Sequence, residues 1–213
     1  MYERIVKRGI DFLLATFFLV CFCWLYALIA LAIALDDPGP VVFTQKRVGK
    51  GKKLFPVYKF RSMKMSAPHD VPTHQMVNPE RYITRVGRFL RRTSLDEIPQ
   101  VLNIWLGQMA LIGPRPALWN QDDLVAERAK YGANDVLPGL TGWAQINGRD
   151  ELEIPVKARL DGDYTARLRK GGLGAFLFDC RCFVGTIFSV ARGDGIVEGG
   201  TGKTNDNSRE EER

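Results

Sequence analysis

Asp96 and Glu97 are adjacent carboxylates that follow closely on Arg88, Arg91 and Arg92. Neighbouring residues of a helix point about 100° apart, so these two cannot easily share a proton. They can divide labour: one carboxylate can attack phosphorus while the other holds a cation. A helix start at this point would add free N–H groups and positive potential, which suit phosphate and keep an aspartate ionised as a nucleophile. A purely structural account fits as well. Ser94 and Glu97 stand in capping-box spacing, and Asp96 favours a first helical turn. Spacing alone leaves both accounts open.

Further cations sit in short, punctuated segments. Arg115 lies between Pro114 and Pro116, a stiff frame that can aim a guanidinium at phosphate with a bidentate geometry lysine lacks. Arg149 follows Asn147-Gly148 in a flexible turn, and Lys59 and Arg61 flank Phe60 in a strand-like stretch. Each alone reads as a surface charge; four in three such segments exceed what a solvated face requires. Other chemistries fall away. Cys21, Cys23, Cys180 and Cys182 sit in apolar stretches without a CxxC pair or a nearby histidine, so reduced thiols are expected and a zinc site is not. His69 and His74 read as loop residues. Gly199-Gly200-Thr201-Gly202-Lys203-Thr204 imitates a P-loop, but Val197 stands where the first glycine is needed.

The elements that would position these groups are readable in outline. Val41–Gln45 and Leu54–Phe60 suggest two strands of a hairpin joined by the basic turn Gly49–Lys53. Pro79–Arg92 has helical apolar spacing at Tyr82, Val86, Phe89 and Leu90, with a face of arginines that suits anionic lipid, a phosphate site or plain solvent. A second helix is expected from Ser94 to about Leu106, and a polar one over residues 118–131. Pro138–Gly142 and Gln145–Arg149 read as turns. Near the C-terminal end, Leu173, Phe176, Leu177, Cys180, Phe183, Val184, Ile187, Phe188 and Ala191 share one helical face, as expected of a helix that packs on a core or, beside a membrane anchor, lies in the membrane interface.

The chain has 213 residues, 30 Lys and Arg against 24 Asp and Glu, and a net charge of +6. That balance suits anionic partners. Phe12–Leu35 is 24 residues without a charge, enough for a helix of about 36 Å at ~1.5 Å per residue. No small-residue cleavage site follows it, so a retained membrane helix is expected rather than a signal peptide. Arg4, Lys7 and Arg8 precede it, and Lys46, Arg47, Lys50, Lys52 and Lys53 follow. Basic flanks at both ends place both ends in the cytoplasm, which a re-entrant helix satisfies and a single span does not. Against this, no Pro or Gly lies between residues 10 and 35 to break the helix.

Taken in order, these pieces resemble the bacterial sugar transferases, the monotopic polyprenyl-phosphate phosphoglycosyl transferases. The resemblance rests on Lys7-Arg8 with Asp11-Phe12, on Asp37-Pro38-Gly39-Pro40-Val41 and on Gln45-Lys46-Arg47-Val48-Gly49. It continues through Tyr58-Lys59-Phe60-Arg61-Ser62-Met63, Gly87–Glu97, Pro99-Gln100 and Leu111–Pro116. Pro138–Arg149 and the later pair Asp161 and Tyr164 complete it. The family commonly breaks its membrane helix at a Ser-Pro pair, at a position near Cys23-Trp24 here.

The resemblance implies an enzyme on the cytoplasmic face of a bacterial inner membrane. It would move a sugar-1-phosphate from a UDP-sugar to a polyprenyl (undecaprenyl) phosphate and release UMP. Carried over by position, Asp96 is the nucleophile that forms an aspartyl phosphosugar, and Glu97 ligates Mg²⁺. Arg88, Arg115 and Arg149 bind phosphates, with Lys59 in support, and Gln145 and Asp161 join the substrate site. The implied fold is α+β and mostly helical: a re-entrant membrane helix over residues 1–36, a small β-hairpin and interfacial amphipathic helices around a cytosolic catalytic core over 37–200, then a polar tail over 201–213. The implied partners are UDP-sugar, polyprenyl phosphate and membrane lipid. Nucleic acid is not expected, because aromatic interleaving on the basic helix is thin. The rival reading is a non-catalytic membrane-anchored basic protein that binds acidic lipid or nucleic acid.

Overall fold

A computed structural model describes residues 2–68, 78–148 and 152–192. His69, His74, Arg149 and the tail beyond residue 200 lie outside the described residues. The fold is α+β and mostly helical. A π-helical turn, Tyr2–Lys7, leads into α1 (Arg8–Cys21) and α2 (Cys23–Asp36). The two helices meet at a bend of 62°. Phe22 makes the bend by leaving helical geometry (φ −112°, ψ 15°) while its N–H still bonds the Phe18 carbonyl at 3.0 Å. The Phe18 and Phe22 rings stack with centroids 4.6 Å apart. The break thus forms without the proline or glycine that such a bend normally needs.

Both helices have an inner side. Ala15 of α1 is buried with Phe55, Val57, Val101, Ile104 and Met109. Ile29 and Ile33 of α2 are buried with Phe60 and Leu90. The outer sides, including Leu13, Phe17, Val20, Trp24, Leu28, Leu31 and Leu35, are exposed. Arg8 fastens α1 by donating to the Ile104 and Trp105 carbonyls at 2.6 and 3.0 Å.

The expected hairpin is present as β1 (Val42–Val48) and β2 (Leu54–Phe60), antiparallel from Val42 against Phe60 to Val48 against Leu54. Its turn is a 3₁₀ segment, Lys50–Lys52, with Gly51 at φ +65°. Several expectations need correction. The helix expected from Pro79 to Arg92 is two pieces, a 3₁₀ turn Pro79–Tyr82 and α3 (Arg85–Arg92). Thr84 divides them, because its hydroxyl accepts the Gly87 N–H at 2.9 Å and caps α3. The capping box at Ser94 does not form. Ser94 is left-handed at φ +56°, so its side chain caps nothing, and only a 3₁₀ turn, Leu95–Glu97, precedes α4 (Gln100–Trp105).

Beyond α4, β3 (Ala110–Ile112) is followed by β4 (Ala117–Leu118), which adds to the far edge of β1. The polar helix is shorter than expected, α5 (Asp122–Ala129), because Leu118 belongs to that strand. Gly139–Thr141, expected as part of a turn, is β5, parallel to β3. Gln145 lies on a single helical turn, α6 (Trp143–Ile146), also expected as non-helical. Two long helices complete the fold, α7 (Ile154–Lys170) and α8 (Gly172–Arg192). α8 is long and apolar enough to cross a membrane by length and composition. It is two-sided: Ala175, Phe178 and Cys182 are buried in the core, whereas Leu173, Phe176, Leu177, Phe183, Val184, Ile187 and Phe188 of the sequence-assigned face are exposed.

Candidate active site

The left-handed Ser94 reverses the chain at the end of α3 and delivers Asp96 and Glu97 in the short 3₁₀ turn. Glu97 is buried and Asp96 half-buried. Two cations close on Glu97. Lys59, near the end of β2, approaches Oε1 at 2.8 Å. Arg115 forks onto both oxygens, with Nη1 donating to Oε2 at 3.0 Å and Nη2 to Oε1. A bidentate, charge-assisted pair of this kind fixes orientation as well as charge.

Each partner is positioned by packing outside the cluster. Asn103 of α4 is wholly buried, and its amide accepts the Tyr58 N–H at 3.1 Å and donates to the Pro56 carbonyl at 2.7 Å, clamping β2 beside Lys59. The loop carrying Arg115 lies backbone to backbone on β5. Gly113 N–H donates to Thr141 O, and Gly139 N–H to Pro114 O, both at 2.8 Å. A Cβ on Gly139 would come within 2.1 Å of the Gly113 nitrogen, and one on Gly142 within 2.1 Å of the Gly113 carbonyl. Only glycine permits that approach. Tyr26 of α2 donates to the Ile98 carbonyl at 2.9 Å, so the membrane-type segment touches the carboxylate turn directly.

Electrostatics separate the two carboxylates. Burial alone would raise the pKa of Glu97, but Arg115 and Lys59 overcome it and hold the carboxyl well below the usual range. Burial pushes Asp96 up, against the pull of Lys59, and the charge of Glu97 pushes it further. Arg91 and Arg115 also act to lower it. Of the α3 arginines, then, Arg91 acts on Asp96; its Nε donates to Ser62 Oγ at 3.0 Å. Arg88, the arginine the resemblance carries over, is exposed one turn before Arg91 on the same basic helix.

A cavity of about 750 Å³ opens beside the cluster. Its lining includes Glu97, Arg115, Thr141 and Gln145 and is otherwise drawn largely from apolar residues of α1, α2, α4 and α8. Gln145 therefore lines the same cavity as Glu97 and Arg115. Asp161 does not: it is fully buried on α7 and paired with Arg128, 2.8 Å from Nε and 2.6 Å from Nη2. Among the described residues no group of three or more His, Cys, Asp or Glu could hold a metal ion. What the site offers a divalent cation is the Glu97 carboxylate, a hard oxygen donor of the kind magnesium takes together with phosphate oxygens.

Sequence reasoning also missed a buried network at the other end of the core. Asp179 accepts Tyr2 Oη at 2.6 Å and Lys7 Nζ at 3.0 Å, and its other oxygen lies 2.9 Å from Tyr164 Oη. Tyr164, part of the later pair on which the resemblance rests, therefore ties α7 to α8 rather than joining the carboxylate cluster.

The family model described as "Bacterial sugar transferase" matches residues 2–193. The chain is 44% identical over 154 residues to the UDP-glucose:undecaprenyl-phosphate glucose-1-phosphate transferase of Escherichia coli (strain K12), covering 68% of this chain and 32% of that protein. It is 37% identical over 203 residues to the exopolysaccharide production protein PSS of Rhizobium leguminosarum bv. phaseoli, covering 91% of this chain and all of that one. It is 40% identical to the undecaprenyl-phosphate glucose phosphotransferase of Komagataeibacter xylinus over 71% of this chain and 30% of that protein. The chain thus spans about a third of the length of two of these relatives and the full length of the other. A match across nearly the whole described chain, joined to an Asp-Glu pair set among phosphate-type cations, places the chain in the bacterial sugar transferase family.

Proposed function

We propose that the chain transfers a sugar-1-phosphate from a UDP-sugar to a polyprenyl phosphate. The observation that carries this reading is the half-buried Asp96 beside a Glu97 carboxylate that Arg115 and Lys59 already hold. Two of the relatives support it by name, one a UDP-glucose:undecaprenyl-phosphate glucose-1-phosphate transferase and one an undecaprenyl-phosphate glucose phosphotransferase. In the first step an Asp96 carboxylate oxygen attacks the sugar-bearing phosphorus, the bond to the bridging oxygen breaks, and UMP leaves with that oxygen. In the second, a phosphate oxygen of the lipid attacks the same phosphorus, Asp96 is released as carboxylate, and a polyprenyl diphosphosugar forms. Arg115, Lys59 and Arg91 offer positive charge where the phosphoryl oxygens gain negative charge. Mg²⁺, held by Glu97 and the substrate diphosphate, would neutralise developing charge. Glu97 can serve it only in competition with Arg115 and Lys59, so the ion is proposed to arrive with the diphosphate.

The membrane reading follows from dimensions. α1 and α2 have 14 residues each. At ~1.5 Å per residue each is about 21 Å long, short of a hydrocarbon core of about 30 Å. A bend of 62° between them, exposed apolar outer sides and basic flanks at both ends support a segment that enters and leaves on the cytoplasmic face. The exposed apolar face of α8 would lie in the same interface. This would hold the carboxylate turn at the depth where a water-soluble donor meets a lipid acceptor.

The test is UMP release from a panel of UDP-sugars by detergent-extracted protein with polyprenyl phosphate and Mg²⁺. Release with one donor is expected, and Asp96→Asn lowers it by about 10⁴-fold or more, as loss of a nucleophile does elsewhere, without loss of folding. Full activity in Asp96→Asn would remove the nucleophile assignment. No release from any donor would favour the non-catalytic membrane protein.

A further inference from the structure

Gln145 is 8% exposed, and among the described residues neither its Oε1 nor its Nε2 has a partner. Buried amides are paired in the great majority of cases, so an amide open on both atoms beside a cavity needs an explanation. The nearby hydroxyls are already engaged: Thr141 and Thr186 bond each other at 2.7 Å. Gln145 is therefore an unsatisfied polar group on a largely apolar cavity whose lining also includes the Arg115–Glu97 pair.

The apolar lining includes Phe18 and Phe22 of the α1–α2 bend, Val101 of α4, and Phe183 and Ile187 of α8. Such a space suits a molecule with an apolar chain and one anionic, hydrogen-bonding end. A UDP-sugar does not match it, because its hydroxyls would face phenyl and alkyl walls unpaired. A polyprenyl phosphate does. Its chain can leave toward lipid over the exposed faces of the same helices, at Phe17, Val20 and Phe188.

Resting on the transferase reading, we propose that this cavity seats the first isoprene units of the acceptor, and that Gln145 selects its phosphate monoester from surrounding phospholipid. A monoester with a second pKa near 6 exists partly as a monoanion that both accepts and donates hydrogen bonds. The Gln145 amide can meet both: Nε2 donates to a phosphate oxygen, and Oε1 accepts from a P–OH. A phospholipid diester carries no such proton, and its two acyl chains exceed what one cleft admits. The bend at Phe22 thereby gains a role, since it supplies one wall of the acceptor's path.

The test measures Michaelis constants for both substrates in the full chain, in mixed micelles with and without added phosphatidylglycerol. Gln145→Leu and Ile187→Trp are expected to raise KM for polyprenyl phosphate about tenfold or more, the size of a lost hydrogen bond to a charged group, with KM for the UDP-sugar within about twofold. Phosphatidylglycerol is expected to inhibit Gln145→Leu more strongly than the wild type. Leu31→Trp, on the outer side of α2 away from the cavity, changes neither constant. A rise confined to the UDP-sugar constant, or an unchanged acceptor constant, overturns the proposal. If the wild type transfers no phosphosugar at all, the reaction assignment fails, and photolabelling with a diazirine-bearing polyprenyl phosphate judges the cavity by itself. Labels at the Phe22 bend and inner α8 that Ile187→Trp suppresses uphold it, and labels only on the outward faces overturn it.

Discussion

At Glu97 burial works against ionisation and two cations work for it, whereas at Asp96 burial prevails. The two neighbours therefore respond to pH with opposite signs. The depressed Glu97 contributes stability that is present above its unfolded value and is lost as pH falls through the folded one. The raised Asp96 binds its proton more tightly in the folded chain, so its contribution becomes unfavourable as pH rises from the unfolded value through the folded one. Asp96→Asn removes that second contribution. Melting temperatures of the wild type and this variant should coincide in acid and separate with rising pH, the variant becoming the more stable. A shift of about 2 °C or more at neutral pH is expected if relief is worth ~1 kcal/mol in a chain of this size. The transfer rate should fall on its acid side at a pH above the ordinary aspartate value. A variant less stable at neutral pH would mean that Asp96 makes contacts the burial argument omits.

At the scale of elements, the parts legible in the sequence were those set by local pattern. The hairpin followed from two strand-like runs around a basic Gly-Lys turn, and the two-sided character of α8 from apolar spacing. The Asp-Glu pair and the rigid Pro-Arg-Pro frame were legible as residue types, and the fold brings Glu97 and Arg115 together. What local pattern could not supply was contact between distant segments. The capping box failed because Ser94 adopts a left-handed turn that reverses the chain. Pro138–Gly142 read as a turn because its glycines are turn residues, yet Gly139 and Gly142 serve a close approach to Gly113 that places Arg115. Gly139→Ala should therefore force that loop apart. A loss of about 1 to 3 kcal/mol is expected, as for other overpacked sites, with a fall in activity from the displaced arginine. Gly174→Ala is the matched control: a Cβ there meets nothing within 4 Å, and helix propensity favours alanine. Thermal melts and UMP release on both variants decide the point, and a stable, active Gly139→Ala would free Arg115 from dependence on this contact.

Across the whole molecule, the apolar segment is built into the core. Tyr26 holds the carboxylate turn, Arg8 holds the end of α4, and Tyr2 and Lys7 reach the buried Asp179 of α8. At its far end Asp36 accepts the Val86 N–H at 2.9 Å, and Asp37 accepts from Arg61 Nη1 at 2.8 Å. Both ends of the segment are thus fastened to one core, which supports the proposed re-entry on one face. The bend offers its own probes, since Cys21 and Cys23 flank Phe22 and are both exposed in the protein. In a bilayer they should be shielded from a membrane-impermeant maleimide applied from either side, yet react with it once detergent removes the lipid. Cysteines introduced at Arg4 and Lys53, which flank the segment, should both react from the cytoplasmic side in inverted vesicles. Labelling of Cys21 or Cys23 from the outer side would instead describe a bent helix that crosses. The positions of Arg4 and Lys53 would then have to fall on opposite faces, and the anchoring of both segment ends to one core would need a different account.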